Sequence, residues 1–237
     1  MARLRLFCFP YAGGGASIFR SWGPGLPAGV EVNALQLPGR EARFRDPAFR
    51  RLAPLADVVA TEIRPYLDRP AVFFGHSMGA ALAFEVTRRL VRSGGGAPVQ
   101  HLLVSGRNAP RVPDDEPPIF GLPRAEFIAE LRQYAGTPEE VLANDELMDL
   151  VEPLLRADFE LIETYAYEPD DTRLALPVTA FTGHDDHDVP LAKVEPWAEE
   201  TAGPFRCHVL PGGHFFLNDH RDELLALVGR ELASHLA

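Results

Sequence analysis

Gly75-His76-Ser77-Met78-Gly79 sets a serine between two glycines. The apolar run Ala71-Val72-Phe73-Phe74 precedes it, and a stretch rich in Ala and Leu follows. A strand that turns sharply into a helix at a G-x-S-x-G holds its serine in a strained conformation, with the hydroxyl exposed at the carboxyl edge of a sheet. The flanking glycines let strand and helix approach without side-chain clashes. The first N–H groups of the helix lie beside the hydroxyl. Such a serine is a nucleophile for acyl transfer. The motif alone recurs by chance, and an ordinary strand–helix turn is the alternative; the strand before it and the helix after it favour the nucleophile.

A serine hydroxyl needs a base, and the chain has eight histidines. His76 adjoins the serine, but a sharp turn points its side chain elsewhere, so it is expected to pack or shape the site. His101 and His208 lie in strand-like runs and His235 near the C-terminus. His214 follows the strand-like run Cys207–Leu210 and the turn Pro211-Gly212-Gly213, and precedes Phe215-Phe216-Leu217. That puts it on a loop at a strand's carboxyl end, where open α/β sheets place their sites. The orienting acid should precede the histidine. Asp185, Asp186 and Asp188 compete in Gly183-His184-Asp185-Asp186-His187-Asp188, and spacing does not decide among them. A carboxylate three residues past the strand, after a glycine turn, can reach back to a neighbouring loop, which favours Asp186. His184, Asp185, His187 and Asp188 also offer metal-ligand chemistry, but nothing elsewhere completes a site, so no metal is expected. Oxyanion donors should be the Met78 N–H and one from the loop Tyr11–Gly15, with Ala12 favoured because the glycines beside it permit close backbone approach. That loop has neither the G-x-G-x-x-G nor the G-K-[ST] pattern of a phosphate cradle.

The elements that must position these groups are legible in the patterning. Strands are expected at Arg3–Phe9, Val30–Leu35, Ala71–Phe74, His101–Ser105, Pro177–Thr182 and Cys207–Leu210. Helices are expected at Leu52–Leu67, at Met78–Val91 (ended by Gly94-Gly95-Gly96) and at Arg221–Leu236. This alternation predicts an α/β fold, a mostly parallel central sheet flanked by helices. The rhythm breaks at Pro110, Pro113, Pro117, Pro118 and Pro123. Two helical stretches follow, Arg124–Tyr134 and Asp145–Tyr165. In the second, Leu147, Leu150, Val151, Leu154 and Leu155 form one stripe, and Pro153 should kink it. The expected division is a core of residues 1–109 and 171–237 with a helical lid insertion at 110–170. Packing alone would be the other role for that insertion.

Composition narrows the function classes. The 237 residues are 46% hydrophobic and 24% charged, an ordinary globular balance. A net charge of −11 argues against nucleic acid as partner. No apolar run approaches the ~18 residues of a membrane span, and no apolar leader opens the chain, so no membrane association and a cytoplasmic location are expected. Cys8 and Cys207 are expected as buried free thiols. Two arginine groups, Arg40, Arg43, Arg45, Arg50 and Arg51, and Arg88, Arg89 and Arg92, could form a basic patch or simply a solvated face.

The chain resembles the type II thioesterases of polyketide and nonribosomal peptide assembly lines, members of the α/β-hydrolase fold. The resemblance rests on Phe9-Pro10-Tyr11-Ala12-Gly13-Gly14, Leu37-Pro38-Gly39-Arg40, Gly75-His76-Ser77-Met78-Gly79, Pro153-Leu154-Leu155-Arg156-Ala157-Asp158-Phe159 and Gly212-Gly213-His214-Phe215-Phe216, spread in order over nearly the whole chain. It implies Ser77 as nucleophile, His214 as base, Asp186 as acid, and Met78 and Ala12 as oxyanion donors. His187 stands after that aspartate where the family usually has proline. The resemblance further implies a serine thioesterase that clears stalled or misprimed acyl groups from the phosphopantetheine arm of an acyl or peptidyl carrier protein. No cofactor of its own is expected, since the substrate brings the phosphopantetheine. A general carboxylesterase of the same fold is the alternative within enzymes. An acyltransferase fits less well, because such chains are usually longer and the Ser-Asp-His order favours a hydrolase. A noncatalytic hydrolase-fold binding module is the alternative outside enzymes. Nothing points to an oligomer, so a monomer is the default.

Overall fold

The computed structural model describes residues 3–94, 99–113, 116–134, 136–169 and 173–236. The chain runs β1 (Leu4–Phe9), β2 (Val30–Ala34), α1 (Leu52–Ile63), β3 (Ala71–His76), α2 (Met78–Arg92), β4 (Val99–Ser105), α3 (Arg124–Tyr134), α4 (Glu139–Leu142), α5 (Asp145–Glu163), β5 (Val178–Gly183), α6 (Leu191–Val194), β6 (Phe205–Leu210), α7 (Phe216–Asp219) and α8 (Arg221–Ala233). The six strands form one sheet in the order β2-β1-β3-β4-β5-β6, with every neighbouring pair parallel. Each of the six expected strands is present. Parallel strands buried on both faces read as near-continuous apolar runs, and Ala71-Val72-Phe73-Phe74 is fully buried.

Side-chain alternation along each strand divides the core. Phe7 and Phe73 pack with Leu55 of α1 and Leu82 of α2 on one face. Leu6, Val72 and Phe74 pack with Leu224 and Val228 of α8 on the other. The parallel register aligns the carboxyl ends. Phe9 lies beside Gly75, His76 beside Ser105, and Gly183 beside Leu210. The loops after β1, β3, β5 and β6 therefore emerge at one edge.

Between β4 and β5 the chain leaves the sheet for α3, α4 and α5. Ile119, Phe127, Leu131, Leu142, Met148 and Leu155 form a small core of their own there. Asn144 caps α5, its Oδ1 accepting from the N–H groups of Glu146 and Leu147. The helix continues through Pro153. Its buried face differs from the expected leucine stripe. Met148, Leu155, Asp158, Leu161 and Ile162 point inward, whereas Leu147 and Leu150 are exposed. Leu155 belongs to both faces and Val151 and Leu154 are half-buried, so the stripe holds in part; the inward face runs 148-155-158-162 and includes a carboxylate that counting apolar residues leaves out.

Helix ends also shift for local reasons. α1 stops at Ile63 and gives way to one tighter turn, Arg64–Tyr66, that contains Pro65; proline has no N–H to continue the helical ladder. Gly94, past the end of α2, has φ +73°, while Gly95 and Gly96 lie outside the described residues, as do residues 170 and 171 at the expected core–insertion boundary. Both cysteines are free thiols; Cys8 is buried and Cys207 only half-buried. Among the described residues no helix is long and apolar enough to cross a membrane.

Candidate active site

Ser77 sits at the turn from β3 into α2 with φ +53° and ψ −118°, a region that costs a non-glycine residue of order 1–3 kcal/mol. The strain persists because the surroundings allow little else. A Cβ on Gly75 would lie 2.2 Å from the Gly79 carbonyl oxygen, and one on Gly79 would lie 2.1 Å from the Phe9 carbonyl oxygen. Both glycines of the motif are thus required by backbone contact. The Ser77 N–H donates to the Ser105 carbonyl at 2.8 Å, anchoring the turn to β4.

His214 leaves the loop after β6. Its Nδ1 lies 2.8 Å from Oδ2 of Asp186, on the loop after β5. Asp186 is 4% exposed, and its Oδ1 accepts from the Val189 N–H at 3.1 Å. Asp185 and Asp188 are exposed. Burial therefore separates the three competing aspartates: only Asp186 turns inward to the histidine. A buried carboxylate on Nδ1 fixes the tautomer that presents Nε2 as a base, and it stabilises the imidazolium that forms on protonation. The other candidates in that acidic loop do not converge. Among the described residues no three His, Cys, Asp or Glu side chains form a metal-ligand group.

His76 packs against the site. Its ring centroid is 5.1 Å from that of His214, and its Nδ1 pairs with Ser105 Oγ at 2.9 Å. Burial, helped by the neighbouring His214, pushes its pKa well below the usual imidazole value. It is therefore a neutral wall. Phe215 and Tyr11 complete the aromatic surround, with ring centroids 5.0 Å apart.

Ser77 and His214 line one cavity of about 90 Å³, together with Tyr11, Ala12 and Phe215 from the sheet side. Leu131, Tyr134, Leu155, Phe159 and Ile162 line it from the insertion. A larger hollow of about 500 Å³ lies between edge strand β2 and α1, and none of Ser77, Asp186 and His214 lines it.

Ala12 occupies a tight turn closed by the Gly14 N–H on the Tyr11 carbonyl at 2.9 Å. Gly13 within it has φ +75°, which glycine adopts without steric cost. The Met78 N–H belongs to the first turn of α2, where helix donors have no carbonyl four residues back.

Two residues support this turn: Asp158, which the sequence reading gave no role, and Arg40, expected on a basic patch or a solvated face but buried here. The Asp158 carboxylate, on α5, accepts from the Gly13 N–H at 2.7 Å and from both terminal nitrogens of Arg40 at 2.8 and 2.9 Å. Arg40 Nη1 also donates to the Gly14 carbonyl at 3.0 Å. Both side chains are buried. Burial pushes the Asp158 carboxyl up, against the pull of Arg40 and the Gly13 N–H. A charged residue amid the apolar Leu154-Leu155 and Phe159, paired with an arginine after Pro38-Gly39, is the signal that could have found them.

The arginine groups meet acids. Arg50 and Arg51 each bond Glu160, Arg43 bonds Asp46, Arg88 bonds Glu85, and Arg89 bonds Glu85 and Asp57. Local neutralisation favours the solvated-face reading over a basic docking patch.

Comparison with known proteins places the chain in a family. The model of the thioesterase domain family matches residues 4–232. The chain is 42% identical over 236 residues to gramicidin S biosynthesis protein GrsT of Aneurinibacillus migulanus, covering all of this chain and 91% of that one. It is 41% identical over 238 residues to a protein named linear gramicidin dehydrogenase LgrE from Brevibacillus parabrevis, covering 99% and 90%. Among solved structures, the RedJ thioesterase of the prodiginine pathway in Streptomyces coelicolor superposes with a TM-score of 0.90 at 40% identity, over 98% of this chain and 86% of that one.

Proposed function

The chain belongs to the thioesterase domain family, with the α/β-hydrolase fold of its structural neighbours, and from that premise we propose that Ser77, His214 and Asp186 hydrolyse acyl thioesters carried on the phosphopantetheine arm of acyl or peptidyl carrier proteins. The observation that carries this reading is the 2.8 Å contact of Asp186 with His214 at a cavity that also holds the strained Ser77. The relatives from gramicidin S and prodiginine biosynthesis support a place in assembly-line synthesis, clearing stalled or misprimed units.

In this mechanism His214 Nε2 takes the Ser77 proton as Oγ attacks the thioester carbonyl. The Met78 and Ala12 N–H groups hold the oxyanion; losing one such donor typically costs ~10²–10³ in rate. His214 returns the proton to the departing thiolate, which needs little help because a thiol pKa lies near ~8.5. A water then gives its proton to His214 and attacks the acyl-serine, releasing the acid. Asp186 keeps the imidazole oriented throughout. A cavity of about 90 Å³ has room for only a few water-sized groups. The helical insertion that lines it is the element whose movement would admit the arm, the role of a lid.

The name of LgrE suggests redox chemistry. Ser77, His214 and Ala12 line one cavity, and they suit a nucleophile, a base and an amide donor for acyl transfer instead. A general carboxylesterase would use the same groups, so substrate preference decides between them. The test is release of a short acyl group from a carrier protein against cleavage of the matching oxygen ester, with Ser77→Ala as control. The account expects serine-dependent release from the carrier to be the faster reaction. Faster ester cleavage would make the chain an esterase, and no serine-dependent release of either would leave a binding module.

A further inference from the structure

Strand β2 is an open edge of the sheet, pairing only with β1. The Leu35 N–H donates to the Cys8 carbonyl at 2.9 Å. Alternation along the strand therefore turns the N–H and C=O groups of Val32 and Ala34 toward the open side. Native edges are usually blunted by a proline, a charge or a bulge. Residues 32–36 carry neither proline nor charge, and the register against β1 is unbroken.

A hollow lies on each face of this edge. Leu35 and Phe49 pack with the α1 side of the core, and they wall the hollow of about 500 Å³ together with Phe7, Leu55, Val58 and Ile63. Phe19, Val32 and Ala34 pack with the α8 side. They wall a second hollow, of about 560 Å³, that also takes in the polar side chains of Ser17, Gln36 and Glu41. An added strand would point successive side chains alternately into the two. Each hollow also has an exposed charge at its wall, Glu62 in the first and Arg20 in the second. Among the described residues, neither is held by an ion pair or a side-chain hydrogen bond.

We propose that the open edge of β2 docks an extended segment of a partner protein, added to the sheet as a further strand. Main-chain bonds to Val32 and Ala34 would hold it, and the hollows would select its side chains. The walls define the segment's chemistry. Large apolar residues face the α1 side, where burying them is favourable, and polar residues face the α8 side. A basic residue lies over Glu62 and an acidic one over Arg20. A second copy of this chain fits less well. Two β2 edges paired about a two-fold axis would set each hollow against its own copy and fill neither. The site is separate from Ser77, and the proposal does not depend on the reaction there.

The test uses synthetic peptides of about ten residues. Leucine and phenylalanine alternate with serine and threonine, with a lysine on the apolar face and a glutamate on the polar one. A second peptide of reversed sequence covers the other strand direction. Fluorescence anisotropy reads binding, and amide hydrogen exchange reads the protection of Ala34. One of the two peptides is expected to bind and to slow exchange at Ala34. N-methylation of its alternate amides should weaken binding about tenfold or more, the loss of more than one hydrogen bond. Ala34→Pro, which removes an outward N–H, and Val58→Asp, which charges the apolar hollow, should do the same. Glu62→Lys should weaken binding too, and a peptide with glutamate in place of its lysine should restore it. The N-methylated peptide acts on the native chain, so its result stands even if a variant fails to fold. No binding of either peptide below about 1 mM would overturn the proposal, as would binding that N-methylation leaves unchanged. A dimer of the free protein that Ala34→Pro dissolves, seen by sedimentation, would also overturn it by giving the edge to a second copy.

Discussion

The sheet edge and the helical insertion each contribute a buried aspartate to the site, and the two are held in different ways. Asp186 hangs from a loop whose start is fixed by the parallel register of β5 against β4 and β6. It bonds a histidine whose charge changes during the proposed reaction. Asp158 projects from α5, whose neighbours form a separate small core. It bonds the Arg40 guanidinium and the N–H of Gly13, beside Ala12. In the proposed reaction the sheet supplies the groups that react, and their geometry comes from the backbone. The insertion supplies a roof and a brace, and their geometry comes from side chains. Replacing the first aspartate should therefore cost rate, and replacing the second should cost stability.

The sharpest break of that contrast is at Asp186. Asp186→Asn should keep the fold and lower kcat about 10³–10⁴-fold, because the amide favours the wrong imidazole tautomer. Asp185→Asn and Asp188→Asn should stay within about twofold, since both are exposed. Steady-state kinetics on a carrier-bound substrate read this directly, and a large loss at Asp185 or Asp188 would move the acid. Asp158→Asn should leave Arg40 buried against an uncharged partner and lower stability by about 3–5 kcal/mol. Urea unfolding measures it. Replacing Arg40 by Met in the same chain should recover part of the loss, because no buried charge then remains. A stable Asp158→Asn protein with a 10³-fold lower rate would erase the contrast between the two regions.

The smallest expected effect comes from the opposite edge of the sheet, remote from the chemistry. His101 bonds Thr179 Oγ1 at 2.9 Å and His235 at 3.1 Å. Burial lowers its pKa to about 4, and His235 adds to the shift. A histidine whose pKa is depressed in the fold stabilises fully above the unfolded value near 6.5. That contribution is lost as pH falls toward 4, because the unfolded chain then binds the extra proton. The loss should reach at most about 3 kcal/mol. His76, also lowered by burial, works in the same direction. Thermal unfolding between pH 7 and 4 should show Tm falling on acidification, with a shallower fall in His101→Gln. An unchanged slope in that variant would remove His101 from the acid response.

The sheet-borne part of the site was legible in the sequence because local constraints write it there. Gly75 and Gly79 record backbone contacts, and the apolar run before Ser77 records a strand buried on both faces. The loop positions of Asp186 and His214 follow from the strands that precede them. Reach after the glycine turn and the family resemblance favoured Asp186 over Asp185 and Asp188, but spacing alone did not decide, and burial is what separates the three. The insertion was legible only as helices. The stripe on α5 was only partly right, Leu155 inward but Leu147 and Leu150 exposed, and it missed Asp158 because a charged residue counts against burial in any apolar pattern. Its partner Arg40 is 118 positions away, and no local rule connects them. The contact of Leu155 with the Gly13 loop depends on how α5 lies over it, which only the folded chain shows.

The central claim is that Ser77, served by His214 and Asp186, carries the acyl group between thioester and water. Its most direct test is to mix the protein with an acyl carrier protein, quench within the first turnover, and locate the acyl mass by peptide mass spectrometry. The account predicts an acyl adduct on Ser77 that decays on the timescale of turnover, is absent in Ser77→Ala, and forms far more slowly in Asp186→Asn. Acyl release at full rate with no adduct on Ser77, or an adduct on another residue, would contradict it.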